Sequence, residues 1–149
     1  MIDLENVSFN YGGQAGGSLR GLNLTIEEGE CVLLCGPSGC GKTTVTRLIN
    51  GLIPHFFPGE LTGRVRVQGM DIPHTAMYRI ARRVGSVFQN PRSQFFNVDT
   101  DSEIAFAMEN RALPPAELRR RVADTASRLR LEKLLGRNIF ELSGGEKQK

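Results

Sequence analysis

The chain contains no apolar stretch approaching the roughly 18–20 residues that a bilayer-spanning helix needs, so no membrane-spanning segment is expected. Its opening residues, Met1-Ile2-Asp3-Leu4-Glu5, lack the basic and apolar regions of a secretory signal. The protein is therefore expected to stay in the cytoplasm and to meet a membrane only through a partner. A large excess of charge of one sign is also lacking. A net charge of +3 over 149 residues does not argue for nucleic acid. The basic run Arg119, Arg120 and Arg121 has no interleaved aromatic residue and lies in a helical pattern, so it reads as a solvated helix face. Cysteine is limited to Cys31, Cys35 and Cys40, with no fourth ligand nearby to complete a zinc site. Cys31 and Cys35 fall in a buried-strand pattern and are expected to be small core residues in a reducing compartment. There is no internal repeat, and the only low-complexity stretch is the glycine connector of residues 12–17.

What is present is an ordinary globular composition, 40% hydrophobic and 23% charged, in a length suited to one domain. The run Ile2-Asp3-Leu4-Glu5-Asn6-Val7-Ser8-Phe9 alternates apolar and polar residues and predicts a half-buried strand. Leu22-Asn23-Leu24-Thr25-Ile26 predicts a second. After a turn at Glu28-Gly29-Glu30, the continuously apolar Cys31-Val32-Leu33-Leu34-Cys35 predicts a strand buried on both faces, as in a parallel sheet. A helix is expected over residues 42–50, carrying Val45, Leu48 and Ile49 inward and stopped by Gly51. Residues 53–59 read as an irregular aromatic segment. Val65 and Val67, alternating with Arg64 and Arg66, predict an exposed-edge strand in an antiparallel piece, and residues 84–88 predict a further strand. From about Asp99 the period becomes helical. Thr100 and Glu103 have capping-box spacing, and Ile104, Ala107, Met108 and Arg111 share one face. Pro114-Pro115 ends that helix and starts the next, whose stripe is Leu118, Val122, Ala126 and Leu129.

One segment carries chemistry. Gly36-Pro37-Ser38-Gly39-Cys40-Gly41-Lys42-Thr43 matches the phosphate-loop pattern G-x-x-x-x-G-K-[ST] at every fixed position. The glycines let the backbone curl until several amide N–H groups face one phosphate, and the following helix directs its positive end there. Lys42 is expected to reach the β- and γ-phosphates and the Thr43 hydroxyl to hold Mg²⁺. Thr44 is placed to add a hydrogen bond to an α-phosphate. Chance produces such a match about once in a few hundred chains of this length, and here it follows an apolar run and opens a helix, as the mechanism requires.

The tail reads Leu142-Ser143-Gly144-Gly145-Glu146 and, following a helical module, resembles the LSGGQ signature of the ATP-binding cassette (ABC) family. Glu146 stands where that family most often has Gln. Phe9-Asn10-Tyr11 and Val87-Phe88-Gln89-Asn90-Pro91 are similar to the family's strand-end aromatic and its glutamine loop. The resemblance implies an α/β fold: a P-loop NTPase cassette with an antiparallel β subdomain and a helical subdomain. Residues 1–90 would form the β/nucleotide-binding core and residues 91–149 the helical subdomain. It implies ATP and Mg²⁺ as cofactors, with Tyr11 stacked on adenine and Lys42 and Gln89 in catalytic roles. Thr43 and Gln89 would lie at the metal, and Ser143, Gly144 and Gly145 would face a γ-phosphate held by a second ATPase subunit in a head-to-tail dimer. Integral membrane transporter subunits are the further partners it implies, which sets the protein peripherally on the cytoplasmic face of the membrane.

Residues 51–63 and 88–96 are similar to the energy-coupling factor ATPases of vitamin and cobalt or nickel uptake, although Arg92 stands where an acidic residue is usual. The family also has an apolar strand ending in Asp-Glu and a later switch histidine, neither of which maps onto residues 1–149; His55 and His74 precede the helical module and read as loop residues. The 149-residue chain is accordingly expected to be a partial cassette with an incomplete core, weakly stable and inactive alone, while the complete protein hydrolyses ATP. Alternatives are a nucleotide-binding module without catalysis and a soluble cassette ATPase.

Overall fold

The computed structural model describes residues 1–12, 19–88, 90 and 94–147. Two compact units follow one another, Met1–Ser86 and Val87–Lys149, dividing slightly before the boundary expected after residue 90.

The first unit is built on an antiparallel sheet of order β2-β1-β3-β4, with β1 Ile2–Tyr11, β2 Leu19–Ile26, β3 Gly59–Val67 and β4 Met70–Asp71. The apolar residues of β1 are not evenly spaced: three positions separate Leu4 from Val7, which in a regular strand would send them to opposite faces. An extra residue on β1 resolves this. Leu4 and Val7 pair with Leu24 and Leu22, and Glu5 and Ser8 pair with Arg64 and Thr62. Asn6 takes the left-handed φ of 47° at this bulge, a conformation Asn tolerates better than most residues. Leu4, Val7 and Phe9 all end up buried. Opposite the bulge lies Gly63 at φ 84°, where a β-carbon would run into the Asn6 and Glu5 carbonyl oxygens. β3 is an edge strand only in part, because Arg66 and Val67 pair with Asp71 and Met70 of β4.

Helix α1, Lys42–Ile49, buries Thr44, Val45 and Leu48, the i, i+1, i+4 set of one helical face. It ends at Asn50, and Gly51 follows at φ 79°, as a helix stop requires. The short helices α2 (Leu52–His55) and α3 (Met77–Ile80) add Ile53 and Ile80, and the turn Ile72–His74 adds Ile72. These side chains and the inward face of the sheet make one core.

Two expected strands do not form. Residues 31–35 adopt no regular structure; Leu33 is 84% exposed and only Leu34 packs on the core. Residues 84–88 likewise form no strand, with Val87 93% exposed. A parallel strand depends on ladder partners on its flanks, and among the described residues none pairs with either segment. The same fact corrects the cysteines: Cys31 and Cys35 are exposed thiols, as is Cys40.

The second unit contains α4 (Thr100–Glu109), α5 (Pro115–Leu129), the turns Glu132–Leu134 and Ile139–Glu141, and α6 (Gly144–Lys147). The cap of α4 lies one residue before the expected capping box. Asp99 accepts from the Ser102 amide (2.8 Å) and hydroxyl (2.9 Å), while Thr100 is inside the helix, its hydroxyl donating to the Leu134 carbonyl (2.7 Å). Glu103 accepts from the Phe96 and Asn97 amides instead. The α4 face is turned accordingly: Thr100 and Ala105 are buried, whereas Ala107 and Arg111 are exposed. On α5, Val122 and Ala126 are buried as expected, but Leu129 is 52% exposed at the helix end. Arg119 and Arg120 face solvent, and Arg121 pairs with Glu117 one turn away.

Candidate functional site

The glycine loop lies directly before α1 in the first unit. Gly36, Gly39 and Gly41 hold φ angles of 150°, 81° and 97°, all in the region that side chains disfavour. Gly36 is also constrained by space, since a β-carbon there would lie 2.7 Å from Cys40 Sγ. The loop is a cradle that a methyl group would fill. No side chain caps α1 and no acidic residue occupies its first turn, which leaves its leading amide donors without a side-chain acceptor. Phosphate oxygens satisfy such donors, and the residues present therefore fit a phosphate chain.

Lys42 folds over this cradle. Its ammonium donates to the Gly36 carbonyl (2.8 Å) and the Pro37 carbonyl (2.7 Å), with Cys40 Sγ at 3.5 Å. Two of its three hydrogens are thereby fixed, and the third faces only a weak sulfur acceptor. Ser38 and Thr43 are exposed, and the Thr43 carbonyl accepts from the Thr46 hydroxyl (3.0 Å). Thr44 is buried, and its hydroxyl lies 3.2 Å from the Tyr11 hydroxyl.

Tyr11, at the end of β1, is half-buried, its ring set edge-on to Phe9 at 4.7 Å and to Phe57 at 6.4 Å. Arg47 of α1 donates to its hydroxyl (3.2 Å) and lies over the Phe57 ring at 3.9 Å. The structure thus joins Tyr11 to the helix that opens the glycine loop. Sequence reasoning missed Arg47, whose only signal was its place one turn beyond Thr43 and Thr44.

The second glycine run lies in the second unit. Ser143 precedes α6, and here the capping box expected elsewhere is found. The Ser143 amide donates to Glu146 Oε2 (2.8 Å), and the Glu146 amide donates to Ser143 Oγ (3.3 Å). The Ser143 hydroxyl oxygen acts as acceptor in this box. Glu146 Oε1 is paired with Arg137 Nη1 at 3.2 Å. The hydrogen bonds from Ser143, and then the Arg137 charge, hold the Glu146 carboxyl below its usual range. Arg137 was missed from sequence because turns separate it from Glu146. Gln89 lies outside the described residues, as do Pro91 and Arg92. His55, expected in a loop, ends the short helix α2, and His74 ends the turn Ile72–His74, with its Nδ1 2.9 Å from Asp71.

Among the described residues no group of three His, Cys, Asp or Glu side chains converges on a metal site, and no helix is long and apolar enough to cross a membrane.

A family model described as "ABC transporter" matches residues 19–149. A putative ABC transporter ATP-binding protein of Treponema denticola is 56% identical over the whole chain, which covers 30% of that relative. One from Methanosarcina mazei is 42% identical, with 25% of its length covered. The chain thus spans less than a third of these curated relatives. Among solved structures, cbiO1 from Clostridium perfringens, part of the ABC transporter complex cbiONQ, aligns with TM-score 0.84 at 28% identity, over 99% of this chain and 57% of that one. The ATP-binding cassette MJ0796, dimeric in a post-hydrolysis state with ADP and Pi, aligns with TM-score 0.79 at 25% identity, over 99% of this chain and 66% of that one.

Proposed function

Because the chain belongs to the ABC transporter family, in its ATP-binding domain, we propose that it is the phosphate-gripping part of a transport ATPase subunit, one that couples MgATP binding and hydrolysis to solute uptake. The observation that carries this is the glycine cradle at residues 36–41, bridged by the Lys42 ammonium at an uncapped helix start. In this reading the cradle amides and Lys42 hold the β- and γ-phosphates, and the exposed Thr43 hydroxyl, with Gln89, is a ligand to magnesium. The bound ion neutralises part of the phosphate charge. Tyr11 offers the uncovered part of its ring to adenine. Ser143 turns its hydroxyl to a γ-phosphate held by a second ATPase subunit, with Gly144 and Gly145 beside it.

The energy-coupling factor type, serving a vitamin or cobalt or nickel ions, is the finer reading. It is supported by residues 51–63 and 88–96 and by the likeness to cbiO1. Such a subunit would sit on the cytoplasmic face of the membrane, held by integral partners. Equilibrium titration with MgATP tests the site. Lys42→Ala is expected to lose binding nearly completely, and normal binding by that variant would refute the assignment. Ser143→Arg should keep nucleotide binding and lose nucleotide-dependent association of two subunits.

A further inference from the structure

Glu146 places a carboxylate one turn from Ser143 and directly after the glycines, the residues that the proposed function directs at a triphosphate. Left unpaired, that charge would oppose the oxygens it must approach. Both of its oxygens are occupied, Oε2 by the Ser143 amide and Oε1 by Arg137. Among the described residues this is the one ion pair Glu146 makes. The neighbouring cation, Lys147, turns instead to the Phe140 carbonyl at 3.4 Å. The nearby acids are committed elsewhere: Asp99 to Ser102 and Asp101 to the Gly136 amide.

Arg137 is well anchored for the task. Its carbonyl accepts from the Thr100 amide (3.1 Å), the next residue, Asn138, bridges to Asp99, and the Ile139 amide donates to the Val98 carbonyl (2.8 Å). The start of α4 therefore fixes the strip of backbone from which Arg137 reaches Glu146.

We infer that Arg137 is a positioning residue for the segment 143–146: it neutralises Glu146 and holds it in the capping box, so that Ser143 meets the triphosphate without a net negative charge behind it. This rests on the nucleotide reading above. A Gln at 146 would need no such partner, since its amide oxygen accepts from the Ser143 amide and carries no charge.

The test is nucleotide-dependent self-association of the full-length protein, followed by sedimentation velocity against a slowly hydrolysed ATP analogue. Arg137→Ala should require about fivefold to tenfold more nucleotide, and Arg137→Lys should fall between it and the wild type. The difference should shrink at high salt. The deciding variant is the double change Arg137→Ala with Glu146→Gln, which should return to near wild-type behaviour. A prop that merely supported the fold would not be restored by removing its partner's charge. If the wild type associates but Arg137→Ala matches it, or the double variant stays impaired, the inference about Arg137 is overturned alone. If the wild type shows no nucleotide-dependent association, the nucleotide reading falls and takes this inference with it.

Discussion

Tyr11 has two separable parts, and substitution can tell them apart. Its hydroxyl lies 3.2 Å from Thr44 Oγ1 and receives a hydrogen bond from Arg47 at the same distance, while its ring packs edge-on against Phe9. Tyr11→Phe keeps the ring and removes the hydroxyl. Thr44 is buried, so its own hydroxyl is then left without this partner, whereas Arg47 still has Phe57 beneath it and solvent nearby. The net loss of a hydrogen bond is about 0.5–1.5 kcal/mol, and an orphaned buried hydroxyl raises it to about 1–3 kcal/mol. Urea unfolding should show that loss as a lower midpoint with an unchanged slope. Adding Thr44→Val removes the orphan and should recover most of it. The proposed function assigns adenine stacking to the ring, so Tyr11→Phe should bind ATP nearly as well as wild type, while Tyr11→Ala should lose about 1–3 kcal/mol of affinity. If Tyr11→Phe is as stable as wild type, or Thr44→Val fails to offset it, the hydroxyl cluster is not what fastens β1 to α1. Equal ATP binding by Tyr11→Ala and wild type would remove Tyr11 from the proposed site.

Other positions give sharper single outcomes. Gly63→Ala forces a left-handed residue and a clash with two carbonyl oxygens, and chemical denaturation should register a loss of about 2–4 kcal/mol. Gly69→Ala, with a similar φ of 77° but open space around it, should cost about 1–2 kcal/mol from strain alone; equal losses at the two glycines would count against a steric role for the bulge. The pH dependence has a definite sign. The Ser102 hydrogen bonds lower the folded-state pKa of Asp99, as the Ser143 bonds and Arg137 lower that of Glu146. Each contribution is therefore present above the unfolded carboxyl value of about 4 and lost as pH falls through the lower folded value. Protection of the Ser102 and Ser143 amides from exchange, relative to their intrinsic rates, should fall on acidification below about pH 4, whereas Asp99→Asn should remove the acid sensitivity at Ser102 alone.

The glycine loop could be read from sequence because its geometry is local. Glycines at 36, 39 and 41 are demanded by φ angles that no distant contact has to set, and α1 begins at Lys42, where the pattern put it. β1 and β2 were legible because their alternation of apolar and polar residues is itself a local mark of a strand with one face on a core. The apolar run at 31–35 misled because a strand is defined by its neighbours, and apolarity alone supplies none. At α4 the competition was between adjacent cap formers. Asp99 and Thr100 can both cap, and the contact of Thr100 with Leu134, far along the chain, decided it. Arg47 and Arg137 had no legible role, since each acts through a fold-dependent contact that residue spacing does not encode.

The bulge at Asn6 has a reach beyond the sheet that contains it. Counting outward from it, Val7, Phe9 and Tyr11 lie on one side, so the phase of the strand is set five residues before the aromatic ring is needed. Shortening β1 by one residue at that point would rotate the remainder of the strand by half a period, pointing Tyr11 away from α1 without altering any residue of the phosphate cradle. The alignment of the proposed nucleotide site can thus be inherited from a bulge five residues back along the strand.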